Sequence, residues 1–292
     1  MHTSGSGAAA SAAPRGAVQK TFVPATILAG FTDVPHFAQL AGEYLASIST
    51  QQQNEILAEA EAARRFVAQL PAFQGTPVEL RDIAHPHIDA IEADPIFAQT
   101  FSRLPHRFRY VDPRGIIALQ ATIEVRSDPV PKDESALLEF ALPRTWDIPV
   151  EISVIPPLGP IQILTSNPGL QGLAVELDQP SGRVLLSAPK HLNLVQVIQL
   201  QGRYFLRNGY HRIADALQSG IYEFPALVID AFSPNDIALP GVGMFNSGYV
   251  LRLNRPPLVS DFFTGAALRT RVRERRYGII VSLDAKPINV GV

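Results

Sequence analysis

The chain contains no cysteine. Disulfides, cysteine-ligated zinc, iron–sulfur clusters and thiol catalysis are therefore excluded, and a reducing cytoplasm suits such a chain. It is also lean in charge, with 18% Asp, Glu, Lys and Arg against an ordinary ~25%. That leanness points to a face packed on a protein partner or a second copy. Net charge is only −2, from 25 Lys and Arg against 27 Asp and Glu. No global field steers the chain onto nucleic acid or anionic lipid, so binding of that kind needs a local patch. There is no uncharged apolar run of roughly 18 residues, the length a membrane helix requires, and no membrane partner is expected. A Walker-type Gly-Lys-Ser/Thr and a Gly-x-Ser-x-Gly elbow are both missing.

What the chain has in excess is proline. It holds 25 in 292 residues, nearly twice the usual share of ~5%. Proline breaks helices and central strands alike, which argues for a loop-rich mixed fold over a helical bundle. With 46% apolar residues the chain is too hydrophobic to be wholly disordered. Residues 1–17 are the exception. They are rich in Gly, Ser and Ala, with no Leu/Ile/Phe run to make a signal peptide, and read as a disordered tail.

The spacing of Ile56, Ala60, Ala63, Phe66, Val67 and Leu70 predicts a helix over 51–70, capped by Thr50 and stopped by Pro71. Asp94 and Pro95 open a second helix to Leu104, with Ile96, Phe97 and Phe101 inward. Apolar and β-branched runs predict strands over 108–111, 116–125 and 148–155. The proline-rich stretch 156–168 reads as a loop or domain seam, with strands following near 173–177 and 184–187.

Residues 194–230 are the most regular part. A strand over 194–200 leads through a Gln201-Gly202 turn into a strand from Arg203. Asn208-Gly209 then turns the chain into a helix over 211–219, ended by Gly220, and a strand returns over 224–229. A helix N-terminus exposes unpaired N–H groups and the positive end of its dipole, which suits phosphate. Gly209 permits a close backbone approach. Arg212 offers a planar donor fork and His211 a donor or titrating group.

The stretch Gly202-Arg203-Tyr204-Phe205-Leu206, then Asn208-Gly209-Tyr210-His211-Arg212, then Phe224-Pro225-Ala226-Leu227-Val228-Ile229-Asp230 resembles the ParB/sulfiredoxin-like domain. The resemblance covers roughly residues 194–230. It implies an α+β fold with a small mixed sheet and short helices, preceded by a helical and β region and followed by a Pro-rich β extension. It also implies that Asn208, Gly209, Tyr210, His211 and Arg212 line a nucleotide or phosphate site, with CTP or ATP and Mg²⁺ as ligand. Sulfiredoxin chemistry is excluded, because the turn lacks the cysteine that branch needs. The expected organisation is a tail over 1–17, an α+β region over 18–165 and the ParB/sulfiredoxin-like domain with its extension over 166–292.

Three functions follow as expectations. The first is a nucleotide-dependent switch or phosphotransferase using the 208–212 turn. The second is a non-catalytic scaffold or protein-interaction subunit that keeps the fold without the chemistry. The third is a DNA-associated protein using Arg269, Arg271, Arg273, Arg275 and Arg276, of which the odd-numbered members share one face if extended; a charged edge strand is the plainer explanation of the same run.

Lesser signals are Asp82, His85, His87, Asp89 and Glu92, a cluster of metal-ligand types that also fits a proline turn before a helix. Asp230 and Asp236 are carboxylates able to hold Mg²⁺ beside a phosphate. His106, Arg107 and Arg109 form a small basic group. Trp146 and Tyr204 read as core or rim aromatics. Asp261-Phe262-Phe263-Thr264-Gly265 has the look of a kinase metal motif without its companion loops.

Overall fold

A computed structural model describes residues 21–75, 77–125, 129–144, 151–154, 161–165, 174–178, 183–187, 192–237, 243–274 and 277–281. The tail over 1–17, Trp146, Arg275 and Arg276 lie outside them. The chain order is β1 (Phe22–Ile27), α1 (Val34–Leu45), α2 (Thr50–Ala68), β2 (Glu79–Asp82), α3 (Pro86–Glu92), α4 (Pro95–Phe101), β3 (His106–Val111), β4 (Ile117–Ala118), β5 (Thr122–Glu124) and α5 (Glu134–Ala141). Then come β6 (Glu151–Val154), β7 (Ile161–Thr165), β8 (Ala174–Asp178), β9 (Arg183–Ser187), β10 (Gln196–Leu200), β11 (Arg203–Asn208), α6 (Tyr210–Gln218) and β12 (Phe224–Asp230). Two single-turn helices, α7 (Pro234–Ile237) and α8 (Ser247–Val250), precede β13 (Leu268–Arg273) and β14 (Tyr277–Val281). The fold is α+β.

The central six-stranded sheet has the order β2-β3-β12-β10-β11-β4. It draws strands from both the 18–165 and 166–292 segments. β10 and β11 form an antiparallel hairpin, and β10 and β12 run parallel with α6 as the crossover. The hairpin turn is tight because Gln201 and Gly202 both sit at positive φ, 51° and 75°, the backbone a two-residue hairpin requires. A three-stranded sheet, β13-β1-β5, packs one face on α1 and α2. Among the described residues, β14-β7-β6 and β8-β9 make two further small sheets.

Several helices start on side-chain caps, which relieve unpaired first-turn N–H groups. Asp33 accepts from His36 N–H, Asp94 from Ile96 N–H and Asp133 from Ala136 N–H. The cap of α2 is Ser49, not Thr50. Ser49 and Gln52 form a reciprocal capping box, and Thr50 is already the first helical residue. Ala60 and Ala63 are buried as the spacing predicts, but Phe66 remains 38% exposed. The helix expected to reach Leu104 ends at Phe101.

Two readings of the sequence are corrected. The run 116–125 is not one strand: β4 joins the central sheet and β5 the small one. Between them Leu119 and Gln120 donate their N–H groups to Tyr210 Oη, at 2.7 and 3.0 Å, rather than to a neighbouring strand. The proline-rich stretch 156–168 contains β7, which pairs with β6 on one side and β14 on the other; its prolines flank the strand and leave 161–165 free to donate.

Candidate functional site

The 208–212 turn forms because Gly209 takes φ +95° at the N-cap of α6. A Cβ there would lie 2.5 Å from Val195 Cγ2, so strain and packing both require glycine. Asn208 fixes the approach. Its Nδ2 donates to Asn193 Oδ1 and Leu194 O, each at 3.0 Å, and its Oδ1 accepts from Gly209 N–H at 2.9 Å. Tyr210 is buried. Its hydroxyl donates to Leu206 O at 2.7 Å while accepting from Leu119 and Gln120, and burial pushes its ionisation far above the phenol range.

Arg212 is the residue whose donor fork the sequence offers to a phosphate. It is half-buried and turned toward the end of α5. Nη1 donates to Phe140 O at 3.2 Å and Ala141 O at 3.0 Å, and Nη2 donates to Asn193 Oδ1 at 3.0 Å. A helix C-terminus is a natural place for a cation, because its last carbonyls are unpaired and carry the negative end of the dipole. Ala141 O also accepts from Val195 N–H at 3.0 Å. The guanidinium therefore stands where the chain leaves α5 and where it comes back to open β10. Burial pulls its ionisation down to about 10. His211 is half-buried beside it. Asn208, Gly209 and Arg212 thus meet Phe140, Ala141 and residues 193–195, while the Tyr210 hydroxyl turns to Leu119 and Gln120. The first turn of α6 receives no side-chain cap, the one feature of the turn that favours an anion.

A second polar cluster was not legible as a unit in the sequence. Glu79 of β2 reaches across the central sheet. Its carboxylate accepts from Arg107 Nε at 2.7 Å and from Tyr204 Oη at 2.8 Å, with Arg109 Nε at 3.1 Å. Arg107 Nη1 also pairs with Asp230 at 2.7 Å, and Arg109 with Asp82. The Arg107 hydrogen bond, against the opposing effect of burial, holds Glu79 below the usual carboxylate range. Burial and the Glu79 contact push Tyr204 up to about 12. The basic group at 107–109 is therefore neutralised in place, and the sequence signal for it was only the alternation of two arginines on a strand.

The remaining candidates separate. Asp230 is occupied by Arg107, and Asp236, inside α7, reaches back to accept from Phe232 and Ser233 N–H. His85 Nδ1 accepts from His87 N–H as the cap of α3, while His87 Nε2 lies 2.8 Å from Leu142 O. Among the described residues no group of three or more His, Asp or Glu is arranged to hold a metal. Asp261 is buried; it accepts from Arg255 Nη2 and Leu258 N–H, each at 2.7 Å, and burial raises its pKa. That makes it the brace of a 3₁₀ turn over Val259–Phe263. Arg269, Arg271 and Arg273 alternate on β13 and are all exposed. Arg271 Nη2 donates to Phe22 O at 2.8 Å and Arg273 pairs with Glu43. No helix among the described residues is long and apolar enough to cross a membrane.

No protein-family model, curated protein or solved structure matches the chain.

Proposed function

We propose that the protein is a non-catalytic scaffold or interaction subunit built on a ParB/sulfiredoxin-like core, whose 208–212 turn locks the fold instead of holding a nucleotide. The observation that carries this reading is the use made of Arg212. A guanidinium that grips phosphate must keep its fork free for the ligand. Here both terminal nitrogens donate to α5 carbonyls and to Asn193. Val195 packs so closely on Gly209 that a Cβ there would lie 2.5 Å from Val195 Cγ2, which fits a turn built for packing.

The competing reading keeps CTP or ATP with Mg²⁺ at the same turn, and rests on the uncapped first turn of α6 together with the resemblance of the motif. A thermal-shift series separates the two. Purified protein is melted with CTP, ATP and GTP at millimolar concentration with Mg²⁺. A ligand bound only by the native state must raise Tm by mass action. The scaffold reading requires no shift with any of the three. A saturable rise with one of them, lost in Arg212→Ala, overturns it.

A further inference from the structure

Strand β13 is the outer strand of its sheet, with β1 as its only strand neighbour among the described residues. Glu274 N–H donates to Thr21 O at 2.9 Å, and Arg273 stands opposite Phe22. In an antiparallel pair, hydrogen-bonded and non-hydrogen-bonded positions alternate. The even positions 270 and 272 therefore turn their N–H and C=O groups toward β1, and the odd positions 269, 271 and 273 turn theirs outward. Pro24 O, opposite Arg271, accepts from Val125 N–H on the β5 side, as this register demands. The same odd positions carry the exposed arginines, while Leu268 and Val272 pack toward α1 and α2.

The charge on this edge already has a carboxylate as its partner at one end. Arg273 Nη1 lies 3.0 and 3.2 Å from the two Glu43 oxygens. Among the described residues the Arg269 side chain has no hydrogen-bond or ion-pair partner, and Arg271 reaches a backbone carbonyl. Two copies of β13 laid edge to edge would oppose arginine with arginine, so the edge selects against itself. We infer that the edge around Arg269 and Arg271 is a docking site for an extended acidic polypeptide segment. That segment adds as a strand and places alternate carboxylates against the arginines. Backbone bonds give it affinity and the alternating pairs give it register.

This extends the interaction reading by naming an edge and a partner chemistry, and it stands on residues remote in sequence from the 208–212 turn. Nucleotide-induced stabilisation would remove the scaffold reading and leave the edge untouched; failure of the edge leaves the nucleotide test unchanged.

The probe is a fluorescein-labelled nonapeptide of alternating Glu and Thr, titrated with the full chain and read by anisotropy at 50 and 300 mM salt. Controls are the same composition in blocks, the alternating peptide N-methylated at every second backbone nitrogen, and a 20-nucleotide single-stranded DNA. Saturable binding of the alternating peptide is expected, weakened at least ~10-fold by Arg269→Glu with Arg271→Glu, because like charges then face each other. N-methylation should abolish binding. The melting temperature of Arg269→Glu alone should stay within about a degree of the parent, since among the described residues that side chain has no partner to lose. No binding at 50 mM salt overturns the inference. So does equal binding of the N-methylated peptide. Tighter binding of the DNA, lost in the same double variant, replaces strand addition with a nucleic-acid surface and also overturns it.

Discussion

Replacing Arg212 by Ala tests the locking role directly. The change removes a half-buried cation that donates to three neutral acceptors. Two of these keep another donor: Val195 N–H remains on Ala141 O and Asn208 Nδ2 on Asn193 Oδ1. Only the Phe140 carbonyl is left with no other donor among the described residues. Hydrogen bonds from a charged group contribute ~1.5–3 kcal/mol each on deletion. Part of that is offset, because burial already disfavours the charge and its ionisation falls to about 10. The net loss should be about 2 kcal/mol. For a chain of this size ~1 kcal/mol moves Tm by roughly 2–4 °C, so a fall of about 4–8 °C is expected in calorimetry or circular dichroism. Arg212→Lys should recover less than half, since one ammonium cannot reach both the α5 carbonyls and Asn193 in a planar fork. A surface phosphate-binding arginine behaves in the opposite way: its loss spares stability and costs ligand affinity. A fall in Tm below about one degree for Arg212→Ala would refute the argument.

Gly209→Ala and Gly220→Ala share a left-handed backbone, at φ +95° and +72°, but a Cβ at Gly220 meets open space whereas one at Gly209 meets Val195. In urea titrations Gly220→Ala should lose ~1 kcal/mol and Gly209→Ala at least ~2–3 kcal/mol, with Val195→Ala restoring part of the excess; equal losses would mean that the Val195 contact is unimportant. Tyr210→Phe leaves Leu119 N–H, Gln120 N–H and Leu206 O without their shared partner, and should lower the unfolding free energy by about 2–4 kcal/mol; a loss below ~0.5 kcal/mol would contradict the bonding described. Glu79, held below the ordinary range in the folded chain, binds its proton more readily once unfolded, so its stabilisation is present near neutral pH and fades as pH falls from roughly 5 toward 2. Chemical denaturation of Glu79→Gln should show a lower stability at pH 7 and a shallower loss on acidification than the parent; parallel pH curves would exclude Glu79 as a contributor.

The hairpin, turn, helix and strand over 194–230 were readable because their determinants are local. Gly202, Gly209 and Gly220 each mark a left-handed backbone that favours glycine, with Gln201 sharing it inside the two-residue turn. The course of the Arg212 side chain was not readable, because its acceptors lie some seventy residues upstream, at Phe140 and Ala141. α1 escaped because Pro35 reads as a breaker, yet in the first turn of a helix proline costs no hydrogen bond. The crossing from β4 to β5 was hidden inside one apolar run, since the groups that divide it, the Tyr210 hydroxyl and the backbone of residues 243–245, are distant in sequence. The Glu79 cluster joins residues from four strands, and no window along the chain contains it.

The contact of Ala141 with Val195 has a consequence for how this protein could change. The chain between those residues departs from and rejoins the central sheet at one place, with Arg212 drawing both margins together. Such a junction behaves as a port. What is carried through it can lengthen, shorten or be exchanged at small entropic cost, since closure entropy grows only with the logarithm of loop length. β6 to β9 occupy that port, and β14 reaches them by pairing with β7. A descendant that replaced the whole excursion with a few residues would keep every strand of the central sheet but leave β14 without the partner it has in β7.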